Sequence, residues 1–224
     1  MLNSKYIQHD CYNMLQDFDI TDLKNKKFLI TGSNGLIGNY IVNFLDIANR
    51  AFDANVSGWC ISKHKPLWKA DKFKYYALDL SEGFEDHNFY PYPNYVIHGA
   101  CYATPSKFLE NAEETVRLNV HATLSMLEFC KMSASTFLFL SSGAIYGEVP
   151  QSELPIKEAC YGYLTPYSVR APYAESKRLA ETLCNIYKQK VVRLGYIYGP
   201  GNCDGRVMSD FMKMAITNNE VTIN

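Results

Sequence analysis

Short apolar runs alternate along the chain with longer segments in which apolar residues recur at helical spacing. The short runs predict six β-strands, each bounded by glycine, proline or polar residues. They are KKFLITG (26–32), VSGWCI (56–61), KYYALDL (74–80), NYVIHGA (94–100), STFLFLSS (135–142) and QKVVRLGYIYGPG (189–201), the last including an exit loop. The run at 135–142 is almost continuously apolar, which is typical of a strand covered on both faces.

The longer segments predict helices between these strands. With the apolar positions that define the first two, they are 36–49 (Ile37, Ile41, Phe44, Leu45, Ala48), Lys107–Lys131 (Leu109, Ala112, Val116, Val120, Leu124, Leu127), Tyr173–Lys188 and 206–218. Strands that alternate with helices along the chain indicate an α/β fold built on a doubly wound parallel sheet.

The order of the elements divides the chain into three parts. Residues 1–26 predict an amphipathic lead-in helix, and residues 27–200 contain all six strands of one domain. Residues 201–224 hold the last helix and then EVTIN, which looks like the beginning of a further strand. Because a lone strand start is a poor place to end a domain, we expect that a C-terminal lobe is largely missing after Asn224.

Composition narrows the functional classes. The 224 residues carry a net charge of −1, so no global field attracts nucleic acid or an anionic membrane. The seven cysteines are scattered without a CxxC pair, which argues against a disulfide framework and a zinc site and favours the reduced cytoplasm. No signal peptide is recognisable, and no apolar stretch approaches the ~20 residues that a membrane helix requires.

The first strand runs directly into a glycine-rich turn and a helix. This is the setting in which such a turn binds a dinucleotide, since the helix N-terminus offers free N–H groups to a pyrophosphate. Gly32 permits the tight turn, Gly35 lets the backbone approach the pyrophosphate, and Gly38 lets the helix pack closely on the strand. A glycine triplet would also fit an ordinary strand–helix turn, so its weight comes from its position.

Two further strand ends bear on the cofactor. Asp79 and Leu80 end the third strand, where a carboxylate could accept a hydrogen bond from adenine or cap the next segment. The second strand ends in Ser62-Lys63-His64, without the acidic residue that binds the ribose of NAD. Taken locally, this sequence favours NADP, or it is a solvated loop.

Candidate catalytic residues follow the fifth strand. Tyr173 and Lys177 are four residues apart and therefore lie on one face of a helix. A free phenol is a weak base at neutral pH, and a neighbouring ammonium lowers its pKa. Tyr173 could then take a proton from a sugar hydroxyl, while Ser142, at the carboxyl end of the strand, positions the reacting oxygen.

Together these motifs resemble the extended short-chain dehydrogenase/reductase superfamily, in its NAD-dependent nucleotide-sugar epimerase/dehydratase branch. The resemblance covers Lys27 to Asn224 and rests on TGSNGLIG, LDL, IHGACYATP, LNVHAT, LSSGAIYG, YAESK and RLGYIYGPG. IHGACYATPSKF and CDGRVMSDFM are especially similar to UDP-glucuronate decarboxylases and dTDP-glucose 4,6-dehydratases. The resemblance implies a Rossmann fold, a C-terminal lobe that closes over the substrate, and a homodimer formed through the helices Lys107–Lys131 and Tyr173–Lys188.

The resemblance also implies the site residues. It makes Ser142, Tyr173 and Lys177 the catalytic trio and Asn119 a brace of the active site. It implies NAD as the cofactor, with NADP as the alternative, and we expect contacts from Gly32, Ser33, Asn34, Gly35, Leu36, Ile37, Gly38, Ser62, Asp79, Leu80, Ala100, Cys101, Asn119, Tyr173 and Lys177. No metal is expected.

Departures from the family pattern direct the choice of reaction. The 4,6-dehydratases carry Asp-Glu directly after the serine, and the decarboxylases keep a glutamate, whereas this chain has Gly143-Ala144. Tyr196 stands where relatives often have an asparagine near the substrate diphosphate. Loss of the acids leaves oxidation and re-reduction of a sugar hydroxyl at C4, which predicts an epimerase. The alternatives are a 4,6-dehydratase, a UDP-glucuronate decarboxylase-like enzyme, or a non-catalytic dinucleotide-binding protein.

Overall fold

Six parallel strands form a single sheet in the computed structural model, which describes residues 5–66, 68–85, 89–200 and 207–218. The strands are β1 (Lys27–Thr31), β2 (Ser57–Ser62), β3 (Phe73–Ala77), β4 (Tyr95–His98), β5 (Thr136–Ser142) and β6 (Lys190–Leu194). Their order across the sheet is β3-β2-β1-β4-β5-β6, and every pairing is parallel. The predicted doubly wound α/β fold is confirmed.

The strand order reverses direction at β1. Chain order runs outward from β1 through β2 to β3, and the chain then returns to β4 on the other side of β1. The loops after β1 and β4 therefore diverge at the carboxyl edge of the sheet, where α/β proteins bind their ligands. This edge carries the predicted glycine-rich turn and the end of strand β5.

Helices cover both faces of the sheet. They are α1 (Lys5–Gln16), α2 (Leu36–Phe52), α3 (Pro105–Glu110), α4 (Ala112–Val116), α5 (Ala122–Ser133), α6 (Ala171–Ile186) and α7 (Val207–Asn218), with a π-helical turn at Arg117–His121 and short 3₁₀ turns at Thr21–Leu23, Gly143–Tyr146 and Gln151–Glu153. Among the described residues, no helix is long and apolar enough to span a bilayer.

Alternating residues of β1 face two separate cores. Leu29 packs in the core that α5 and α6 cover, whereas Phe28 and Ile30 pack in the core that α1 and α2 cover. The lead-in helix α1 contributes Ile7 and Leu15, both almost fully buried, to this second core. The predicted helix at the start of the chain thus packs against the domain that follows, and the division at residue 26 stays a prediction.

The prediction of one continuous helix over Lys107–Lys131 is wrong. The helix ends at Glu110 because Asn111 has non-helical backbone angles, and its side-chain amide donates to the carbonyl of Lys107. After this break, the π-helical turn at Arg117–His121 changes which residues of the segment point toward the sheet. The predicted apolar stripe is accordingly not one buried face, since Leu109 and Val116 are exposed and Leu127 is fully buried.

The remaining helices begin and end close to their predicted positions. The helix of Tyr173 runs from Ala171 to Ile186, and the last helix runs from Val207 to Asn218. The predicted strand start at 220–224 lies outside the described residues, so the assignment of 201–224 to a second lobe stays a prediction.

Candidate functional site

The turn between β1 and α2 is built on two glycines that no other residue could replace without displacement. Gly32 has φ +71°, and a β-carbon there would lie 2.6 Å from the carbonyl oxygen of Gly99. A β-carbon at Gly38 would collide with the backbone of Gly32 and lie 2.7 Å from the α-carbon of Ser33. These contacts hold the start of α2 directly against the end of β1.

Hydrogen bonds fix the same turn to the end of β2. The Ser62 hydroxyl accepts from the backbone N–H of Asn34 at 3.0 Å and lies 2.8 Å from the Ser33 hydroxyl. The Asn34 side-chain amide donates to the carbonyl of His64 at 2.7 Å. The Ser62 hydroxyl therefore supports the turn, and its predicted contact with a cofactor stays a prediction.

This turn fits the pyrophosphate of a dinucleotide. Helix α2 begins at Leu36 after Gly35, which has no side chain to cap the first N–H groups. Those groups and the positive end of the helix dipole are thus available to an anion. Gly35 is exposed while Leu36 and Ile37 are partly buried, so the backbone of the turn is accessible along its outer side.

The adenosine end of the predicted site contains a compact polar cluster. The Asp79 carboxylate pairs with Lys63, with 2.7 Å between Nζ and Oδ2, and its other oxygen accepts from the backbone N–H and hydroxyl of Ser81. Lys63 also donates to the Tyr102 hydroxyl at 3.1 Å. The pairing lowers the pKa of Asp79 despite its partial burial, and it raises the pKa of Lys63. Leu80 is buried in the core.

The loop after β4 is tied to β1 by Thr31 and His98, which the sequence analysis did not identify. The Thr31 hydroxyl accepts from the backbone N–H groups of Gly99 and Ala100 and lies 2.6 Å from Nδ1 of His98. Because the carbonyl of Leu118 can only accept, Nε2 of His98 carries the ring hydrogen and donates to it, and Nδ1 accepts from the Thr31 hydroxyl. Full burial lowers the pKa of His98 to about 4, so the ring is neutral. Ala100 and Cys101, the predicted contacts, follow directly and are partly exposed.

Lys177 lies entirely inside the protein. Its ammonium donates to the carbonyl of Leu140 at 2.7 Å and sits 4.4 Å from the centre of the Phe139 ring. Burial lowers the pKa of Lys177, an effect that the neighbouring Cys101 opposes. Since Leu140 precedes Ser142 by two residues on β5, this bond joins the helix of Tyr173 and Lys177 to the strand of Ser142.

Ser142 is the last residue of β5, and Tyr173 lies in the first turn of α6. Tyr173 lies one turn before Lys177 on α6, and its ring stacks on Phe108 of α3, with 4.7 Å between centroids and 15° between planes. Ser142 ends β5, and its hydroxyl accepts from the backbone N–H of Ala144 at 3.2 Å. The bond from Lys177 to Leu140 thus places the helix that carries Tyr173 against the strand that ends in Ser142, and the catalytic roles of the trio stay predictions. The stacking partner Phe108 carries no sequence signal of its own.

Asn119 is hydrogen-bonded to α6 through Ser176. Its side-chain amide donates to the Ser176 hydroxyl at 2.9 Å, and Ser176 in turn donates to the carbonyl of Tyr173. Asn119 is fully buried in the π-helical turn, with its side-chain oxygen unpaired. This arrangement supports the expected bracing role, whereas its predicted contact with the cofactor stays a prediction.

A second charged network, which the sequence did not predict, lies beside Ser142 and connects the elements around it. The Glu181 carboxylate accepts from the Ser141 hydroxyl and pairs with the Arg193 guanidinium, 2.8 Å away. Arg193 also donates to the Tyr146 hydroxyl and to the carbonyl of Glu158. The network thus joins α6, β5, β6 and the loop that follows Ser142.

Comparisons with known proteins agree on one family. The model of the NAD dependent epimerase/dehydratase family matches residues 28–223. Among curated proteins, UDP-glucuronic acid decarboxylase 1 of Arabidopsis thaliana is 29% identical over an alignment of 212 residues, and the match covers 89% of this chain and 47% of that protein. UDP-glucuronic acid decarboxylase 4 of the same plant is 35% identical over 136 residues, 57% of this chain and 30% of that protein. The chain thus spans about half or less of these relatives.

Solved structures share the fold. A UDP-N-acetylglucosamine 4-epimerase from Methanobrevibacter ruminantium M1 has a TM-score of 0.67 at 24% identity. The match covers 90% of this chain and 66% of the epimerase chain. TunA, an NAD-dependent NDP-hexosamine 5,6-dehydratase of tunicamycin biosynthesis, has a TM-score of 0.67 at 21% identity. That match covers 89% of this chain and 64% of the TunA chain. At these identities the likeness concerns the fold alone.

Proposed function

The chain belongs to the NAD-dependent epimerase/dehydratase family, and we propose that the protein is a nucleotide-sugar epimerase that acts at C4. The family match covers residues 28–223 and confirms the predicted family and its cofactor, NAD. The substrate, the reaction and the residues that carry it are proposals built on the geometry of the site.

The cofactor would lie across the carboxyl edge of the sheet. Its pyrophosphate would be held by the glycine turn Gly32–Gly38 and its nicotinamide half would lie toward the end of β5. Bound there, NAD supplies a hydride acceptor that can return the hydride to the same carbon. The protein must then supply proton transfer, orientation and exclusion of water.

Three residues supply the proton transfer and the orientation. Tyr173 takes the proton from the C4 hydroxyl and returns it to the oxygen after re-reduction. Lys177 favours the phenolate form of Tyr173, and Ser142 donates a hydrogen bond to the reacting oxygen. The bond from Lys177 to the carbonyl of Leu140 supports this arrangement, because it fixes α6 relative to the strand that ends in Ser142.

One observation favours epimerisation over elimination. Gly143 and Ala144 follow Ser142 in a short 3₁₀ turn, where they bring no carboxyl group to the reacting sugar. A dehydratase needs an acid and a base to move protons at C5 and C6, and removal of that chemistry leaves only transfer at a single carbon. The keto sugar would then be re-reduced from its opposite face.

Product analysis tests this proposal. The full-length protein with NAD would be incubated in D₂O with UDP-, dTDP-, GDP- and CDP-sugars, and the products identified by NMR. We expect a C4 epimer that retains hydrogen at C5. A 4-keto-6-deoxy product carrying deuterium at C5 would contradict an epimerase and indicate a dehydratase.

A decarboxylase is the second candidate, and the curated relatives favour it, since several are UDP-glucuronic acid decarboxylases. A pentose product with release of CO₂ from UDP-glucuronate would establish it over the epimerase. Binding of NAD with no conversion of any sugar would instead indicate a non-catalytic dinucleotide-binding protein.

We also propose a homodimer in the cytoplasm. Apolar side chains are exposed on the helices that the family resemblance assigns to the dimer: Leu109 on α3, Val116 on α4, and Leu179 and Ile186 on α6. The described cysteines Cys11, Cys60, Cys101, Cys130, Cys160 and Cys184 are all free thiols, which supports a reducing compartment.

A further inference from the structure

Three side chains meet at the ammonium of Lys63, and we call them the Lys63 clasp. Nζ of Lys63 lies 2.7 Å from the Asp79 carboxylate and 3.1 Å from the Tyr102 hydroxyl. Lys63 follows β2, Asp79 follows β3 and Tyr102 follows β4. Because β1 lies between β2 and β4, the contact from Lys63 to Tyr102 crosses the carboxyl end of β1, beside the glycine turn.

The end of β2 is where dinucleotide-binding folds distinguish NAD from NADP. An acidic residue there binds the ribose 2′-hydroxyl of NAD, whereas a cation accommodates the 2′-phosphate of NADP. This chain has Ser62 and Lys63 at that position, which by itself would suit the phosphate. The family nevertheless uses NAD, so another feature of the site must offset the cation.

Asp79 provides that offset. One of its oxygens pairs with Lys63, and the other accepts from the backbone N–H and hydroxyl of Ser81, which holds the carboxylate in place. We propose that Asp79 makes the site selective for NAD by pairing with Lys63 and withholding that cation from a 2′-phosphate. A phosphate at this position would also meet the like charge of Asp79.

The clasp differs from an ordinary surface ion pair in its geometry. Surface pairs are weak because two flexible side chains must be held together in water. Here Lys63 is held from two sides, since its ammonium donates to the Asp79 carboxylate and to the Tyr102 hydroxyl. Asp79 is less exposed than Lys63, with 28% against 48% of its side chain accessible.

Binding of the two dinucleotides to three variants tests the proposal. The variants are Asp79→Asn, Lys63→Gln and the double variant, and Lys65→Gln, an exposed lysine in the same loop, is the control. Asp79→Asn removes the charge but keeps an oxygen that can accept from Ser81. Dissociation constants for NAD⁺ and NADP⁺ would be measured by titration calorimetry on the full-length protein.

We expect Asp79→Asn to shift the ratio of affinities about five- to tenfold toward NADP⁺, because the freed ammonium can bind the phosphate. The double variant should lose this gain, and Lys65→Gln should leave the parent ratio unchanged. An unchanged ratio in Asp79→Asn, or a gain that persists without Lys63, would overturn the proposal. So would a parent protein that prefers NADP⁺ or binds neither dinucleotide.

The inference rests on the dinucleotide site and requires no turnover. A protein that proves to be a decarboxylase or dehydratase would therefore refute the epimerase proposal while the predicted shift in dinucleotide affinity still stood. Conversely, an epimerase whose affinity ratio is insensitive to Asp79 would refute the clasp alone.

Discussion

At the scale of single residues, the burial of Lys177 opposes stability while it serves the proposed chemistry. A fully buried ammonium is costly inside a protein, and its bond to the carbonyl of Leu140, together with the neighbouring Cys101 and Glu181, offsets only part of that cost. The apolar neighbour Phe139 could pack as well against a methionine. A substitution of Lys177 can therefore affect the proposed chemistry with little effect on folding.

We predict that Lys177→Met keeps the free energy of unfolding within ~1 kcal/mol of the parent, because a desolvated charge is removed along with one hydrogen bond. Turnover should fall at least ~100-fold. The acidic limb of its pH profile should move to higher pH, since loss of a cation raises the pKa of the phenol. Urea unfolding and steady-state kinetics would be compared with Lys190→Met, at an exposed lysine that should change neither. A large loss of stability with an unshifted pH profile would contradict this role.

His98 predicts a pH dependence of stability. Its pKa is about 4 in the folded protein and near 6.5 when unfolded, so the unfolded chain binds the proton first as pH falls. This contribution is intact above pH 6.5 and is lost progressively as pH falls toward 4, by up to ~1.4 kcal/mol per pH unit. His98→Gln should be less stable at neutral pH because it loses the bonds to Thr31 and Leu118. Its unfolding free energy, measured by urea titration, should fall less steeply between these pH values, and an unchanged slope would contradict the assignment.

At the scale of elements, the pair of Glu181 and Arg193 joins α6 to β6 and to the end of β5. Both side chains are largely buried, with 14% and 24% exposed. Arg193→Met would leave the carboxylate unpaired, and we predict a loss of about 2–4 kcal/mol in unfolding free energy. The double variant Glu181→Leu/Arg193→Met should lose less unfolding free energy than the sum of the losses of the two single variants.

The exposed pair of Glu113 and Arg117 on neighbouring turns provides a matched control. The variant Arg117→Met should change the unfolding free energy little, because water screens that pair. Both pairs would be measured by chemical denaturation, and additive losses at Glu181 and Arg193 would show that the network does not couple these elements.

At the scale of the whole molecule, the exposed apolar residues of α6 predict self-association. Leu179→Asp/Ile186→Asp should convert a dimer into a monomer at micromolar concentration, because two charges would be buried in the interface. Sedimentation velocity would detect the change, and Met14→Asp, at an exposed methionine on α1, should leave the dimer intact. A parent protein that sediments as a monomer would refute the dimer.

The sequence could predict features that depend on local chemistry. Gly38 is required by contacts within one strand–turn–helix unit and Gly32 by its positive φ in the turn, and the spacing of four between Tyr173 and Lys177 fixes their common face. The helix break at Asn111 could not be predicted in this way, since a single asparagine inside an apolar pattern need not end a helix. Here its side chain donates to the carbonyl of Lys107.

Features that depend on contacts between distant residues could not be predicted in this way. The clasp joins Lys63 to Asp79 and Tyr102 only after three strands are paired, and the bond between Lys177 and Leu140 requires the packing of α6 on β5. The buried face of α2 also carries Asn39, Asn43 and Asp46, which an apolar periodicity does not anticipate.

The central claim is that the hydroxyl of Tyr173 transfers the proton during oxidation of a bound nucleotide sugar. The most direct test is the turnover of Tyr173→Phe on the sugar that the parent converts, together with its affinity for NAD⁺. Phenylalanine keeps the stacking on Phe108, so we predict unchanged folding, NAD⁺ affinity within about threefold and turnover reduced by ~10³ or more. Turnover within a few-fold of the parent would contradict the account.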